Sequence, residues 1–523
     1  MEMKPVLSGC ACCGLSRRHF LASSCAACAG AVGVLAAARP VFAAKANGKP
    51  FIRVIYSLHA EVQPGPDWPN VGFDFRPVME SVNAALANGC PEFNFLSSTA
   101  TGPEEAEAIV KGDSDATAPI LGYIVYQMNC WNRVVQTVAE TGKPTLYVDF
   151  QFAGSGGFLV YTADFLRKQT PNVGFAASSR MDDVIAAVKC FKAAADGGSP
   201  ADFAAAAAKA RRDTTPAPGD LACKEDPLTT LSPAECLEKM KASKILVVRD
   251  QEAKVLDPYM GIPLVQVAFS ELNALWESAD KDEARAVADR WEKGATSVTD
   301  VTRETLEVSA AMYLANKALL AKYNANAITI NCLGGFYGNH IHAYPCLGFH
   351  ELNNEGLIGA CEADVRSTAT MTTFTALTQG RPGYISDPVV DTAKRQIIYA
   401  HCVASNRAFG PSGTENPFDI LTHSEDRQGA AVRSLLPVGY MTTSLEVCPE
   451  RKEFLFHQAK AVANDPDDRA CRTKLCAEPV GDIEKLFTQW DQWGWHRVTF
   501  YGDLKEPVFA LADAMGYKVV EEA

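Results

Sequence analysis

What the chain lacks narrows it first. It has no basic excess: 49 Lys and Arg stand against 62 Asp and Glu, a formal net charge of −13. A nucleic-acid binder normally carries a basic patch or stripe, so no nucleic-acid partner is expected. Beyond residue 44 no stretch approaches the roughly 18 uninterrupted apolar residues of a membrane span, so the mature chain is expected to be soluble. No G-x-G-x-x-G and no P-loop follows the first strand-like segment, which leaves a nucleotide site without local support. Nor is the chain short of apolar residues, at 47% of 523. Intrinsic disorder and a small disulfide scaffold are thereby excluded, since a chain of this length builds several cores without staples.

Cysteine is present in number, but unevenly. Five of the 17 lie in the first 28 residues, at Cys10, Cys12, Cys13, Cys25 and Cys28. Around them run Ser16-Arg17-Arg18-His19-Phe20-Leu21, an Ala/Gly/Val-rich stretch and Val41-Phe42-Ala43-Ala44. A basic pair, an apolar core and a small-residue end are the parts of a secretory signal, and Arg17-Arg18 before Phe-Leu resembles the twin-arginine type. Residues 1–44 are therefore expected to be a twin-arginine signal peptide. The twin-arginine export machinery is then a partner, and the mature protein is periplasmic or otherwise extracytoplasmic. Loss of Lys4, Arg17, Arg18 and Arg39 together with Glu2 takes the charge from −13 to −16. Of the remaining cysteines, Cys223/Cys236 and Cys471/Cys476 are the disulfide candidates.

The rest reads as α/β. Strands at 51–56, 92–96, 120–125, 144–148 and 173–176 alternate with helices at 77–87, 103–111, 132–140 and 181–195, the pattern of a mostly parallel sheet covered on both faces. A linker at 214–220 precedes a second such unit with strands at 244–248, 263–268 and 327–332 and long amphipathic helices at about 270–293 and 302–323. A further helix is expected from a cap at Asn353 or Asn354 to Gly380, carrying Ala360–Val365. From about 401 turn residues and short strands predominate. The expected architecture is two Rossmann-like parallel-sheet domains, 45–220 and 221–400, and a β-rich, barrel-like domain, 401–523.

Four residues carry the candidate chemistry: Glu362, Asp387, His401 and His496. Each has an ordinary alternative: a solvated acid at a helix start, a turn residue before Pro388, a core histidine, and a ring packed beside Trp493 and Trp495. Position favours the carboxylates, because helix starts and strand ends of an open parallel sheet face the ligand crevice. Two carboxylates with histidine form an oxygen-rich set suited to Mn²⁺ or Mg²⁺. His340, His342 and His423 are left without an assigned role.

Pro345-Cys-Leu, Leu352-Asn-Asn-Glu-Gly356, Cys361-Glu362-Ala-Asp364, Asp387, His401-Cys402 and His496-Arg-Val-Thr-Phe-Tyr501-Gly502 together resemble, in order and approximate position, the C-terminal half of the L-fucose isomerase and L-arabinose isomerase superfamily. The resemblance covers residues 240–520; before that only the architecture is similar. It implies Mn²⁺ held by Glu362, Asp387 and His496, with His401 near where arabinose isomerases supply a further ligand. It also implies aldose–ketose isomerisation of a small sugar through an enediol, with Glu362 and Asp387 as acid/base groups. A homo-oligomer is compatible with it. Two departures stand out: Cys361–Arg366 differs locally from L-fucose isomerases, so the sugar need not be fucose, and the known isomerases are cytosolic. Export of a folded, metal-loaded chain reconciles the second. The competing readings are an exported, non-catalytic sugar receptor and a metal-dependent sugar lyase or epimerase on the same scaffold.

Overall fold

The computed structural model of the chain describes residues 48–523 apart from 117, 118 and 227; the signal segment expected at 1–44 lies outside the described residues. The first sheet is built from β1 (Phe51–Ser57), β2 (Asn94–Ala100), β3 (Ile120–Gln127), β4 (Thr145–Asp149) and β5 (Val173–Ala176), all parallel, in the order β2-β1-β3-β4-β5. Its inner strands are apolar on both faces because helices cover both, so they read as unbroken apolar runs such as Tyr123–Tyr126.

The second sheet contains β6 (Ile245–Arg249), β7 (Lys254–Tyr259), β8 (Ile262–Ala268), β10 (Ala327–Ile330) and β11 (Ile358–Ala360), ordered β11-β10-β6-β8-β7. All neighbours are parallel except β7, an antiparallel edge. The third unit is a closed antiparallel barrel of β12 (Tyr384–Asp391), β13 (Gln396–His401), β18 (Thr473–Pro479), β17 (Glu453–Asn464), β16 (Met441–Cys448) and β19 (Arg497–Tyr501), the last pairing back on β12. A shift of register at Ala461/Ala463 of β17 bends the strand, as closure requires. β20 (Lys518–Glu521) lies parallel to β17. A small sheet of β9 (Ser297–Thr299), β14 (Phe418–Leu421) and β15 (Ala431–Ser434) completes the set. Among the described residues no helix is long and apolar enough to cross a membrane.

The barrel is packed from both sides. One core joins β6 residues Val247 and Val248 to Phe374, Phe454 and Phe500. Another joins Ile55, Tyr147 and Phe158 of the first unit to Val390, Tyr399 and Trp490. Arg211 adds a tie, stacking on Phe175 and pairing with Glu484 at 2.6 Å.

Three expectations are corrected. The helix expected at 270–293 is two helices, Phe269–Glu277 and Lys281–Gly294, because Asp280 caps the second by accepting from the amides of Asp282 and Glu283. The helix expected from Asn353 to Gly380 does not exist as such. Asn353 and Asn354 end a preceding helix, Cys346–Asn354; β11 follows, and the next helix, Val365–Leu377, is capped by Asp364. Glu362 therefore sits in a turn, and Asp387 lies inside an antiparallel barrel strand rather than at the end of a parallel one. The disulfide candidates are unpaired: Cys223, Cys236, Cys471 and Cys476 are all free thiols. Cys236 instead donates to the carbonyl of Thr373, and Cys471 lies against Asp387.

Candidate metal centre

Glu362 is delivered by a strained turn. It has φ 66° and Ala363 φ 50°, two successive side-chain-bearing residues in left-handed backbone, each costing about 1–3 kcal/mol. Three hydrogen bonds hold the turn. The Ala363 amide donates to Ile330 O (2.9 Å), Arg249 Nη2 donates to Ala363 O (3.1 Å), and Thr329 Oγ1 donates to Cys361 O (3.2 Å). The turn thus hangs from the carboxyl ends of β6 and β10, where open α/β sheets place their ligand crevice.

Asp387 projects from β12 opposite Ala400, His401 closes β13, and His496 directly precedes β19. The His496 segment is held from behind. Arg497 donates to the carbonyls of Gly494 (3.0 Å) and His496 (2.8 Å), and Glu522 grips the Arg497 guanidinium at 3.1 and 2.6 Å. Trp495 packs on Trp68 and Trp490, and it fits because residue 156 is glycine: a Cβ there would come within 3.1 Å of the indole.

These segments bring all four expected residues together. Glu362, Asp387, His401 and His496 each present one donor atom, and the four atoms lie within 4.8 Å of one another. His496 Nε2 is 3.1 Å from Asp387 Oδ1 and 3.6 Å from Glu362 Oε2; His401 Nε2 is 3.9 Å from Asp387 Oδ2. Yet Asp387 Oδ1, His401 Nε2 and His496 Nε2 are buried with no hydrogen-bond partner among the described residues. Buried polar atoms left unpaired are costly, and the convergence of Asp387 Oδ1 and His496 Nε2 with the Glu362 carboxylate fits a shared cation. Glu362 is the most open of the four, its side chain 17% exposed against 7% or less for the others.

Asp364 completes the site, although its place in the sequence motif carried no role. Its Oδ1 caps the following helix by accepting the Ser367 amide (3.1 Å), and its Oδ2 accepts Ser367 Oγ (2.7 Å) and His496 Nδ1–H (2.8 Å). A carboxylate on Nδ1 fixes the proton there and leaves Nε2 a lone pair, the arrangement that orients metal-binding imidazoles. His401 differs. Its Nδ1 accepts the Cys402 amide (2.9 Å), which puts the ring proton on Nε2. That hydrogen-bond network makes His401 an N–H donor into the cluster and His496 the better ligand.

The charges agree. Burial works against the charged form of His496, but Glu362, Asp387 and Asp364 outweigh it and hold its pKa well above the ordinary value. Burial likewise pushes Glu362 and Asp364 up, and His496 more than offsets it, leaving both below the usual carboxylate range.

His340, His342 and His423 are not among the four. His340 is exposed and stacked on Phe269, and His342 lies edge-on to Trp276. His423 is buried against Tyr344 and Phe336, 3.1 Å from Asp426.

Parts of the chain are similar to proteins named as sulfoquinovose isomerases. A sulfoquinovose isomerase of Clostridium sp. (strain MSTE9) is 24% identical over 266 residues, 49% of this chain and 57% of that protein. Sulfoquinovose isomerases of Alkalicoccus urumqiensis and Priestia megaterium (strain ATCC 12872 / QMB1551) are 29% identical over 101 residues and 26% over 121, covering 23% and 26% of their lengths. The chain thus spans little more than half of the first relative and about a quarter of the other two. No protein-family model matches it.

Proposed function

We propose that the chain is a metal-dependent aldose–ketose isomerase. The observation that carries this reading is the convergence of Glu362, Asp387, His401 and His496 on a common point with three of their donor atoms otherwise unpaired. Glu362, Asp387 and His496 would hold the ion, and the oxygen-rich set favours Mn²⁺ or Mg²⁺. An ion held there would supply Lewis acidity that stabilises negative charge on substrate oxygen.

The chain's own groups supply the rest. Isomerisation moves one proton between adjacent carbons, C1 and C2, and a second between their oxygens. Two carboxylates reaching one point from separate elements, the Glu362 turn and β12, provide the acid/base pair, each typically contributing 10²–10⁴ in rate. His401 offers its Nε2–H to a sugar oxygen on which charge develops. Asp364 keeps His496 in the tautomer that binds. The low exposure of Asp387, His401 and His496 keeps bulk water from competing for the transferred protons.

The relatives' name makes a 6-sulfonated hexose the first substrate to try, beside neutral aldoses. The test is ketose formation from such a panel by the metal-loaded protein. Turnover is expected for at least one sugar, falling at least ~10³-fold in Glu362→Gln. No ketose from any sugar, or full activity in Glu362→Gln, would refute the reading. Sugar binding that survives chelation unchanged, with no turnover, would favour a receptor instead. A twin-arginine signal in residues 1–44 and export of the folded chain remain part of this proposal, tested by whether the protein reaches the periplasm with Arg17→Lys/Arg18→Lys.

A further inference from the structure

Glu425 lies in the loop joining β14 to β15, within Thr422-His-Ser-Glu-Asp-Arg427. Its backbone carbonyl accepts the Val71 amide at 2.7 Å, which pins the segment carrying Asp67 and Trp68 beside it. One carboxyl oxygen, Oε2, accepts the hydroxyl of Tyr337 at 2.8 Å. The other makes no hydrogen bond among the described residues and is not sealed, the residue being half-buried. No Lys or Arg among the described residues pairs with it. The loop is set against the cluster: Ser424, its neighbour, lies 3.7 Å from Cys402 Sγ and 3.8 Å from Cys471 Sγ, and Cys471 Sγ lies 3.9 Å from Asp387 Oδ2, with two other carboxylates, Asp67 and Glu362, within electrostatic reach of Glu425.

An acid in this position is expensive. Burial first, then Asp67 and Glu362, push its pKa up to about 8 against the opposing pull of His423. If its purpose were to anchor Tyr337, a neutral amide would serve without crowding three acids together. If it were to steady the Asp67 segment, its backbone already does so. Neither role accounts for the free oxygen, and none of Glu362, Asp387, His401 or His496 is joined to Glu425 by a hydrogen bond or ion pair.

We propose that Glu425 is a substrate-contacting residue of the same cleft. Held through Oε2 by Tyr337, it exchanges a hydrogen bond through its free oxygen with a sugar hydroxyl away from the carbon pair that isomerises. The inference rests on the isomerase reading and deepens it: the substrate is a polyhydroxylated chain that reaches from the metal centre to the β14–β15 loop, and Glu425 helps select which hydroxyl pattern fits.

The experiment uses binding, so that it does not depend on turnover. The full mature chain, loaded with Mn²⁺, is titrated calorimetrically with linear alditols (D-glucitol, galactitol, ribitol, D-arabinitol and L-fucitol), as wild type, Glu425→Ala, Glu425→Gln and Tyr337→Phe. Bound manganese is measured in each. The best alditol is expected to bind ~10-fold or more weakly to Glu425→Ala, the worth of one hydrogen bond to a carboxyl. Glu425→Gln, of equal volume and able to donate and accept, recovers most of that loss, and manganese content stays at the wild-type level throughout. Alditol binding by Glu425→Ala within twofold of wild type overturns the inference and leaves the isomerase reading standing. So does a loss that appears only together with lost manganese, which would make Glu425 a support of the metal centre. If the wild type binds no alditol and converts no aldose, the isomerase reading falls and this inference with it.

Discussion

Asp364→Asn isolates what the carboxylate behind His496 does. Asparagine caps a helix as well as aspartate. Its oxygen can keep the Ser367 amide bond, and its nitrogen can still meet Ser367 Oγ, so the helix Val365–Leu377 should be undisturbed. What it cannot do is accept the proton of His496 Nδ1, now 2.8 Å from Oδ2. The amide N–H meets the imidazole N–H donor to donor. The ring then either turns away or moves its proton to Nε2, where the lone pair for the cation has to be. Loss of such a partner typically weakens metal binding 10–100-fold, about 1.4–2.7 kcal/mol. The tautomer conflict places the expectation at the upper end. The assay is competition for Mn²⁺ against a chelator, with the melting temperature recorded on the same samples. Asp364→Ala serves as the control, since it loses the cap as well, about 1 kcal/mol of stability. A manganese affinity within twofold of wild type in Asp364→Asn, at an unchanged melting temperature, would refute the argument and reduce the contact to packing.

Metal binding should also depend on pH. In the metal-free protein Glu362, Asp387 and Asp364 hold the proton on His496, and a cation must displace it. Affinity should then rise with pH by up to about tenfold per unit while that proton is still bound, with close to one proton released in two-buffer calorimetry; a flat profile contradicts this. For the metal-free fold the sign is opposite: the raised pKa contributes stability that is complete below the unfolded value of ~6.5 and is lost as pH rises through the folded one. Glu522 behaves the other way. Burial opposes its charge, but Arg497 and His457 bring its pKa down to about 2. Its contribution, about 3 kcal/mol, is present above the unfolded value and disappears as pH falls through about 2. Glu522→Gln strands the buried Arg497 charge and should cost about 3–5 kcal/mol in urea unfolding at neutral pH; a loss under about 1 kcal/mol would contradict the pairing. In a chain beginning at residue 45, the twelve cysteines of the described residues are expected to titrate as twelve thiols in denaturant without prior reduction, and a shortfall of two or more would contradict the free state of Cys223, Cys236, Cys471 and Cys476.

How much of this was legible in the sequence depends on how local the determining physics is. β1, β3 and β6 are apolar runs of strand length whose neighbours alternate with helices, so the two parallel sheets followed from composition along the chain. Around Glu362 local signals compete. Asn353, Asn354 and Asp364 are all capping residues, and the three-residue strand Ile358–Ala360 between them is too short to register as a pattern. The helix after it, VRSTATMTTFTAL, is full of β-branched threonine and would be poor by propensity. It forms because Phe374 packs between Phe454 and Phe500 of the barrel, a contact made between distant parts of the chain. The four cluster residues were found by their order along the chain, which a resemblance can carry. The same resemblance implied that Glu362, Asp387 and His496 converge, but not the means, which are a turn held in left-handed backbone, β12 closing a barrel, and Arg497 and Glu522 fixing the segment before β19. Asp364 had a sequence signal, an aspartate three residues before Ser367 at a helix start, but that signal speaks only of capping. Its second oxygen acquires a purpose only when His496, 132 positions away, is brought against it. The residue that sets the tautomer of His496, the proposed metal ligand, is thus also the one that starts the helix beneath the site, so fold and proposed chemistry share a single side chain, and Asp364→Asn is the substitution that separates them.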